Sequence, residues 1–139
     1  MDKEIIICTH GRFGEELVHS AEMIVGPIKD IKVFSLLPGV DPFDYRKEIQ
    51  EYVNNKADTE FLCMADLYGG TPSNILASLV PSRNVNVITG LNLAMLIEVY
   101  SQLSFKEIRD LINCALETLK TSGYYVNQEL EKIMKTKEG

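Results

Sequence analysis

Near its start the chain carries an apolar run without a polar break, Ile5-Ile6-Ile7-Cys8, closed by Thr9-His10-Gly11. A strand with one wet face alternates apolar and polar residues, because successive side chains point to opposite sides. An unbroken run of this kind needs cover on both faces, and helices packed on either side of a parallel sheet supply it.

The remaining pattern repeats the theme. Strands are predicted over Lys3 to Thr9, about Ile31 to Leu37, Glu60 to Ala65 and about Asn84 to Thr89. Between them the period lengthens to that of a helix. Leu17, Ala21, Ile24 and Val25 recur at helical spacing until Gly26-Pro27 stops them. Asp41 and Pro42 read as an N-cap and first helical residue, with Tyr45, Ile49 and Tyr52 on the apolar face that follows. Thr71-Pro72 marks another helix start, continuing through Ile75, Leu76 and Leu79, and a further helix runs from about Leu93 to Gln102.

Ser104-Phe105-Lys106-Glu107 has capping-box spacing. It predicts a long amphipathic helix through Phe105, Ile108, Leu111, Ile112, Ala115 and Leu119, closed by Gly123. Tyr124 to Leu130 fits either a short strand or the start of a terminal helix, and the charged tail over 132–139 is expected to fray.

Strand-helix alternation predicts an α/β fold, an open and mostly parallel four-stranded sheet with helices on both faces. Right-handed crossovers favour the strand order 2-1-3-4, with room for an added edge strand. The 139 residues fit one domain, residues 1–139, which can bury enough surface to fold without disulfide or metal. Cys8, Cys63 and Cys114 show no CxxC spacing, so they read as buried thiols in a reducing compartment. The N-terminus lacks the layout of a signal peptide and no apolar run approaches a membrane span, so a cytoplasmic protein is expected. A net charge of -6 argues against nucleic acid as a partner.

In the order 2-1-3-4 the first and third strands are neighbours, and their carboxyl ends form the crevice where open α/β sheets bind ligands. His10 follows the first strand and Asp66 the third. Position alone leaves two readings. The carboxylate could hold one imidazole nitrogen as N–H and leave the other as a nucleophile, or a surface histidine could lie beside an unrelated carboxylate. Gly69-Gly70-Thr71-Pro72 adds a tight turn and a helix start. The first amides of that helix, notably those of Ser73 and Asn74, are expected free to meet an anion, with the hydroxyls of Thr71 and Ser73 adding hydrogen bonds. Thr-Pro also simply caps helices. Together, though, a nucleophilic imidazole facing an anion cradle is what phosphoryl transfer through histidine requires.

Several blocks of the chain resemble one known family. They are Ile5-Ile6-Ile7-Cys8-Thr9-His10-Gly11, Leu17 with Ala21-Glu22-Met23 and Gly26, Leu37-Pro38-Gly39, Asp66 through Asn74, and Thr89 through Leu93 with Met95-Leu96. In this order they resemble the IIA component (EIIA) of the phosphoenolpyruvate-dependent sugar phosphotransferase system (PTS), mannose type, covering mannose, fructose and sorbose branches. Relatives often carry Trp where Tyr68 stands and Ser where Thr71 stands. Both swaps keep an aromatic and a hydroxyl.

The resemblance implies that His10 is the phosphohistidine, formed on its tele nitrogen, with Asp66 orienting it. It implies that Gly70, Thr71, Ser73 and Asn74 contact the phosphate. It also implies that phosphate comes from the carrier protein HPr and goes to an EIIB protein, serving membrane EIIC and EIID indirectly. A homodimer is implied too, since family members commonly exchange a strand. No metal and no bound cofactor are implied, because the phosphoryl group arrives already activated on nitrogen. The linker to a EIIB domain is missing, so a free-standing EIIA is expected; the sugar is chosen by the membrane components. The alternative is a regulatory EIIA-like domain, phosphorylated at His10, that controls a kinase or transcription factor. A stand-alone chain without a DNA-binding motif and the Gly69-Gly70-Thr71-Pro72 block both favour the transport reading. A nucleotide-binding flavodoxin-like domain is disfavoured by the lack of a Gly-rich loop after the first strand.

Other residues invite less. His19 lies two positions from Leu17 and is expected in solvent. Arg12 could meet a phosphoryl oxygen or simply form a rim charge. Tyr124-Tyr125 is expected to pack on the domain's own core, and Met23, Met64 and Met95 read as core filler.

Overall fold

A computed structural model describes residues 2–81 and 84–138 of the chain. Among the described residues four strands and four helices alternate and two more helices follow: β1 (Asp2–His10), α1 (Phe13–Val25), β2 (Ile31–Leu36), α2 (Pro42–Asn54), β3 (Thr59–Ala65), α3 (Thr71–Ala77), β4 (Val85–Ile88), α4 (Leu93–Gln102), α5 (Ile108–Thr121) and α6 (Val126–Glu138). The sheet has the order β2-β1-β3-β4 and every pairing is parallel, as the sequence predicted.

The Ile5–Cys8 run behaves as its composition demands. Ile5 and Ile7 pack into one core layer with Ala21 of α1, Met95, Leu96 and Val99 of α4, and Leu111 and Ala115 of α5. Ile6 and Cys8 pack into the other, with Tyr45, Ile49 and Val53 of α2 and Ile75 and Leu76 of α3. Burying each isoleucine fully contributes about 2 kcal/mol, so the central strand alone anchors both layers. Glu4, also buried, accepts hydrogen bonds from the Tyr52 hydroxyl and from Lys56 Nζ at 2.8 Å. Asp41 caps α2 by accepting the Phe43 amide at 2.7 Å, with Pro42 in the first helical position.

Four local expectations are corrected. The capping box at Ser104 does not form. The amides of Phe105 and Lys106 both donate to the Gln102 carbonyl, at 3.2 and 3.1 Å, which prolongs the end of α4. Helix α5 therefore starts at Ile108 with Glu107 as its N-cap, and Phe105 is left exposed. Met23 is 89% exposed, whereas Met64 and Met95 are fully buried. Met23 lies two positions from buried Ala21, which turns it to the outer side of α1, and Ile24 is exposed as well. Cys114 is only half-buried, unlike Cys8 and Cys63.

The chain is helical from Val126 to Glu138, which resolves the ambiguity over Tyr124 to Leu130 in favour of the start of a terminal helix. Tyr124 and Tyr125 are both exposed, away from the domain's core, together with Val126, Leu130, Ile133 and Met134 on one side of α6. Among the described residues no other element packs extensively on that helix. None of the helices is long and apolar enough to cross a membrane, among the described residues.

Candidate active site

Strand parity aims the key side chain. Along β1 the even-numbered residues Ile6 and Cys8 face the α2/α3 layer, and His10, the last residue of the strand, continues that series. Its ring therefore emerges beside the turn that opens α3. The β1–β3 register ends at Cys8 opposite Ala65, so Asp66 is the next residue along the neighbouring strand's path.

Asp66 occupies the place a continued strand would have taken. One carboxylate oxygen, Oδ2, accepts the backbone amide of His10 at 3.0 Å and lies 2.8 Å from the ring Nδ1 of the same residue. The other oxygen accepts the Leu67 amide at 2.9 Å. An ionised carboxylate only accepts, so a neutral His10 ring bonded this way carries its hydrogen on Nδ1. The lone pair is then on Nε2. The His10 side chain is half exposed, and that of Asp66 only 16% exposed, so the imidazole is open while its partner is sheltered.

The far edge of the ring lies against Gly70. A Cβ placed on Gly70 would sit 2.8 Å from Cε1 and 3.4 Å from Nε2 of His10, closer than carbon neighbours normally approach. Gly69 adopts φ 84°, a conformation glycine takes without penalty, and the Gly70 amide donates back to the Leu67 carbonyl at 3.2 Å. This turn holds Leu67 and Tyr68 outward, 62% and 85% exposed, beside the imidazole.

The cradle is smaller than the sequence suggested. Gly70, not Thr71, is the N-cap of α3, and Thr71 and Pro72 are its first two helical residues. The Asn74 amide is consequently not free; it donates to the Gly70 carbonyl at 2.9 Å and closes the first turn. The Asn74 side chain donates to the Gly69 carbonyl at 3.2 Å, so it shapes the turn. Among the described residues the amides of Thr71 and Ser73 remain without a hydrogen-bond partner. Ser73 is buried and Thr71 half-buried.

Nearby groups serve other ends. Arg12 Nη1 donates to Glu15 at 3.0 Å, and this contact holds the Glu15 carboxyl below its usual range. His19 is exposed, as predicted, and lies 3.5 Å from Glu16. Burial pushes the Cys8 thiol up to about 12 and raises Cys63 as well. Neither supplies a thiolate near the crevice. Among the described residues no group of three or more His, Cys, Asp or Glu side chains is arranged to hold a metal ion.

Comparison with known proteins points the same way as the geometry. A 27% identical relative, the fructose-specific EIIA component of the PTS from Bacillus subtilis, aligns over 131 residues, 93% of this chain and 90% of the relative. Among solved structures, the phosphotransferase system component EIIA from Streptococcus agalactiae superposes with a TM-score of 0.82 at 28% identity, covering 91% of this chain and 98% of that one. The mannose/sorbose-specific IIA subunit from Enterococcus faecalis gives a TM-score of 0.79 at 28% identity, covering 89% of this chain and 94% of that one. The family profile described as "PTS system fructose IIA component" (EIIA-man) matches residues 4–116. This span takes in all of the sheet but the first two residues of β1, together with His10, Asp66 and the turn before α3, and the chain belongs to that family, the EIIA components of the mannose, fructose and sorbose branch of the PTS.

Proposed function

We propose that this chain carries a phosphoryl group on Nε2 of His10, receiving it from HPr and delivering it to an EIIB protein. The observation that carries the reading is the 2.8 Å contact between His10 Nδ1 and Asp66 Oδ2, which supports Nε2 as the attacking atom. That lone pair forms a bond to phosphorus as the phosphorus–nitrogen bond of the donor's phosphohistidine breaks. The departing electron pair stays on the donor's ring. The His10 ring gains positive character, which the Asp66 carboxylate offsets. Delivery to EIIB runs the same exchange in reverse, without an added co-reactant.

The turn before α3 supports the second half of the site. Free amides at Thr71 and Ser73 and the Thr71 hydroxyl offer donors to phosphoryl oxygens, and Gly70 lets the group approach the backbone. Asn74 acts by holding Gly69 in place. Exposed Leu67 and Tyr68 give either protein partner an apolar surface beside the nucleophile, from which EIIC and EIID in the membrane are served indirectly. A homodimer, formed in the cytoplasm, completes the proposed assembly.

Incubation with phosphoenolpyruvate, enzyme I and HPr tests the carrier role. One acid-labile, alkali-stable phosphoryl group per chain is expected, and none on His10→Ala. Acid-stable phosphate, or undiminished labelling of the variant, refutes it.

A further inference from the structure

We propose that Thr9 is a positioning residue for the His10 imidazole, acting through a hydroxyl that clamps the turn on which His10 stands. The proposal rests on the carrier reading of His10.

Thr9 is fully buried on the β1 face whose other buried members, Ile5 and Ile7, are aliphatic. A hydroxyl buried there is unfavourable unless it is bonded. It is bonded twice. Oγ1 accepts the Gly14 amide at 2.9 Å and donates to the Gly11 carbonyl at 3.4 Å, a long bond. Gly14 is the second residue of α1, whose N-cap, Arg12, contributes no side-chain cap. The hydroxyl that satisfies this orphan amide is thus supplied from the strand, on the far side of His10.

Packing reinforces the clamp. A Cβ on Gly14 would fall 2.6 Å from Ile7 Cγ2 and 3.2 Å from Thr9 Oγ1, so the start of α1 lies directly on β1. Gly11 is tied to β2 through its amide, which donates to the Leu36 carbonyl at 2.8 Å. The turn from His10 to Phe13 is therefore held at its strand end, its middle and its helix end. Asp66 demands that constancy, because its one oxygen must meet both the amide and the ring of His10. Without the Thr9 hydroxyl, the start of α1 can shift and carry His10 away from that oxygen.

The test compares Thr9→Val, which keeps the branched shape, with Thr9→Ser, which keeps the hydroxyl. Each is checked for folding by circular dichroism. His10 phosphorylation is then followed with phosphorylated HPr and with phosphoramidate, and ring nitrogen shifts report the tautomer. The Val variant should react at least about 10-fold more slowly with both donors and show a mixed tautomer, while Ser stays within about twofold. A folded Val variant with wild-type rate and tautomer overturns the proposal, as does a Ser variant as slow as Val. The double variant Thr9→Val/Arg12→Asn offers the Gly14 amide a side-chain acceptor from the N-cap position of α1, which supplies none at present, and it serves also if Val alone does not fold. Positioning predicts recovered stability with a slow reaction, whereas recovery of both overturns it. If wild-type protein takes no phosphate, the carrier reading fails, and the tautomer measurement still judges Thr9.

Discussion

Replacing Gly70 with alanine tests the site with a single methyl. The backbone there, φ -77° and ψ 167°, is open to alanine, so the change introduces no main-chain strain. The new carbon would stand 2.8 Å from His10 Cε1. Comfortable carbon contacts begin near ~3.5 Å, so the ring must retreat by about 0.7 Å or rotate. A free side chain would do so at little cost, but this ring is tethered to Asp66 at 2.8 Å. Retreat on that scale stretches the tether past a good hydrogen bond, and rotation misaligns Nε2. Either way transfer should slow about 10- to 100-fold, or ~1.4–2.7 kcal/mol of barrier. Stability should fall by only about 1 kcal/mol, the cost of alanine in place of glycine at an N-cap. Single-turnover phosphorylation by HPr, with thermal melts alongside, measures both. Gly123→Ala, where a Cβ meets nothing within 4 Å, is the control and should react normally. A folded Gly70→Ala protein reacting within about twofold of wild type would refute the inferred packing of ring on backbone.

The remaining expectations concern the neighbours of that ring. Asp66→Asn keeps the shape but offers an amide N–H to Nδ1, favouring the wrong tautomer; transfer should slow by at least ~10-fold with little change in melting, and equal rates would strip Asp66 of its role. Tyr68→Ala should raise KM for HPr several-fold while leaving labelling by phosphoramidate unchanged, since the ring contributes docking surface and no chemistry; slowing with both donors would refute this. A thiol reagent should modify only half-buried Cys114 in the native protein, because burial both shields Cys8 and Cys63 and keeps them protonated; early labelling of either at neutral pH would contradict their packing. Sedimentation at micromolar concentration should report a dimer, and a monomer persisting at high concentration would remove the assembly without touching the chemistry.

The contrast between two Thr-Pro-like starts explains where sequence reading failed. Asp41-Pro42 and Thr71-Pro72 look alike, and the first pair behaves as the pattern says, with the Asp41 carboxylate on the Phe43 amide. At the second, the turn from Leu67 to Gly70 delivers the chain one residue early, so Gly70 becomes the cap and Asn74 is drawn into the first turn. Capping patterns are local, while the cap position depended on a turn built around the glycine at 69. Phe105 misleads for a different reason. Helical spacing identifies a stripe, but whether a layer lies beneath it is a property of the assembled domain. Thr9 carried no signal, because threonine is an ordinary strand residue and its hydroxyl matters only once α1 is packed against β1.

His10 and Asp66 were legible because their placement follows from few rules. Handed crossovers put β1 beside β3, and both residues stand where those strands end. Parity then supplies what the order does not. Along β1, Ile5, Ile7 and Thr9 face α1, α4 and α5, whereas Ile6, Cys8 and His10 face α2 and α3. The apolar run that requires two helical layers is thereby also the ruler that aims the imidazole at Gly70 and the Thr9 hydroxyl at α1. A one-residue slip of the strand would exchange the two. It would bury an imidazole under α1 and leave a hydroxyl facing the turn, so the residues that stabilise β1 also enforce the orientation on which the proposed chemistry depends.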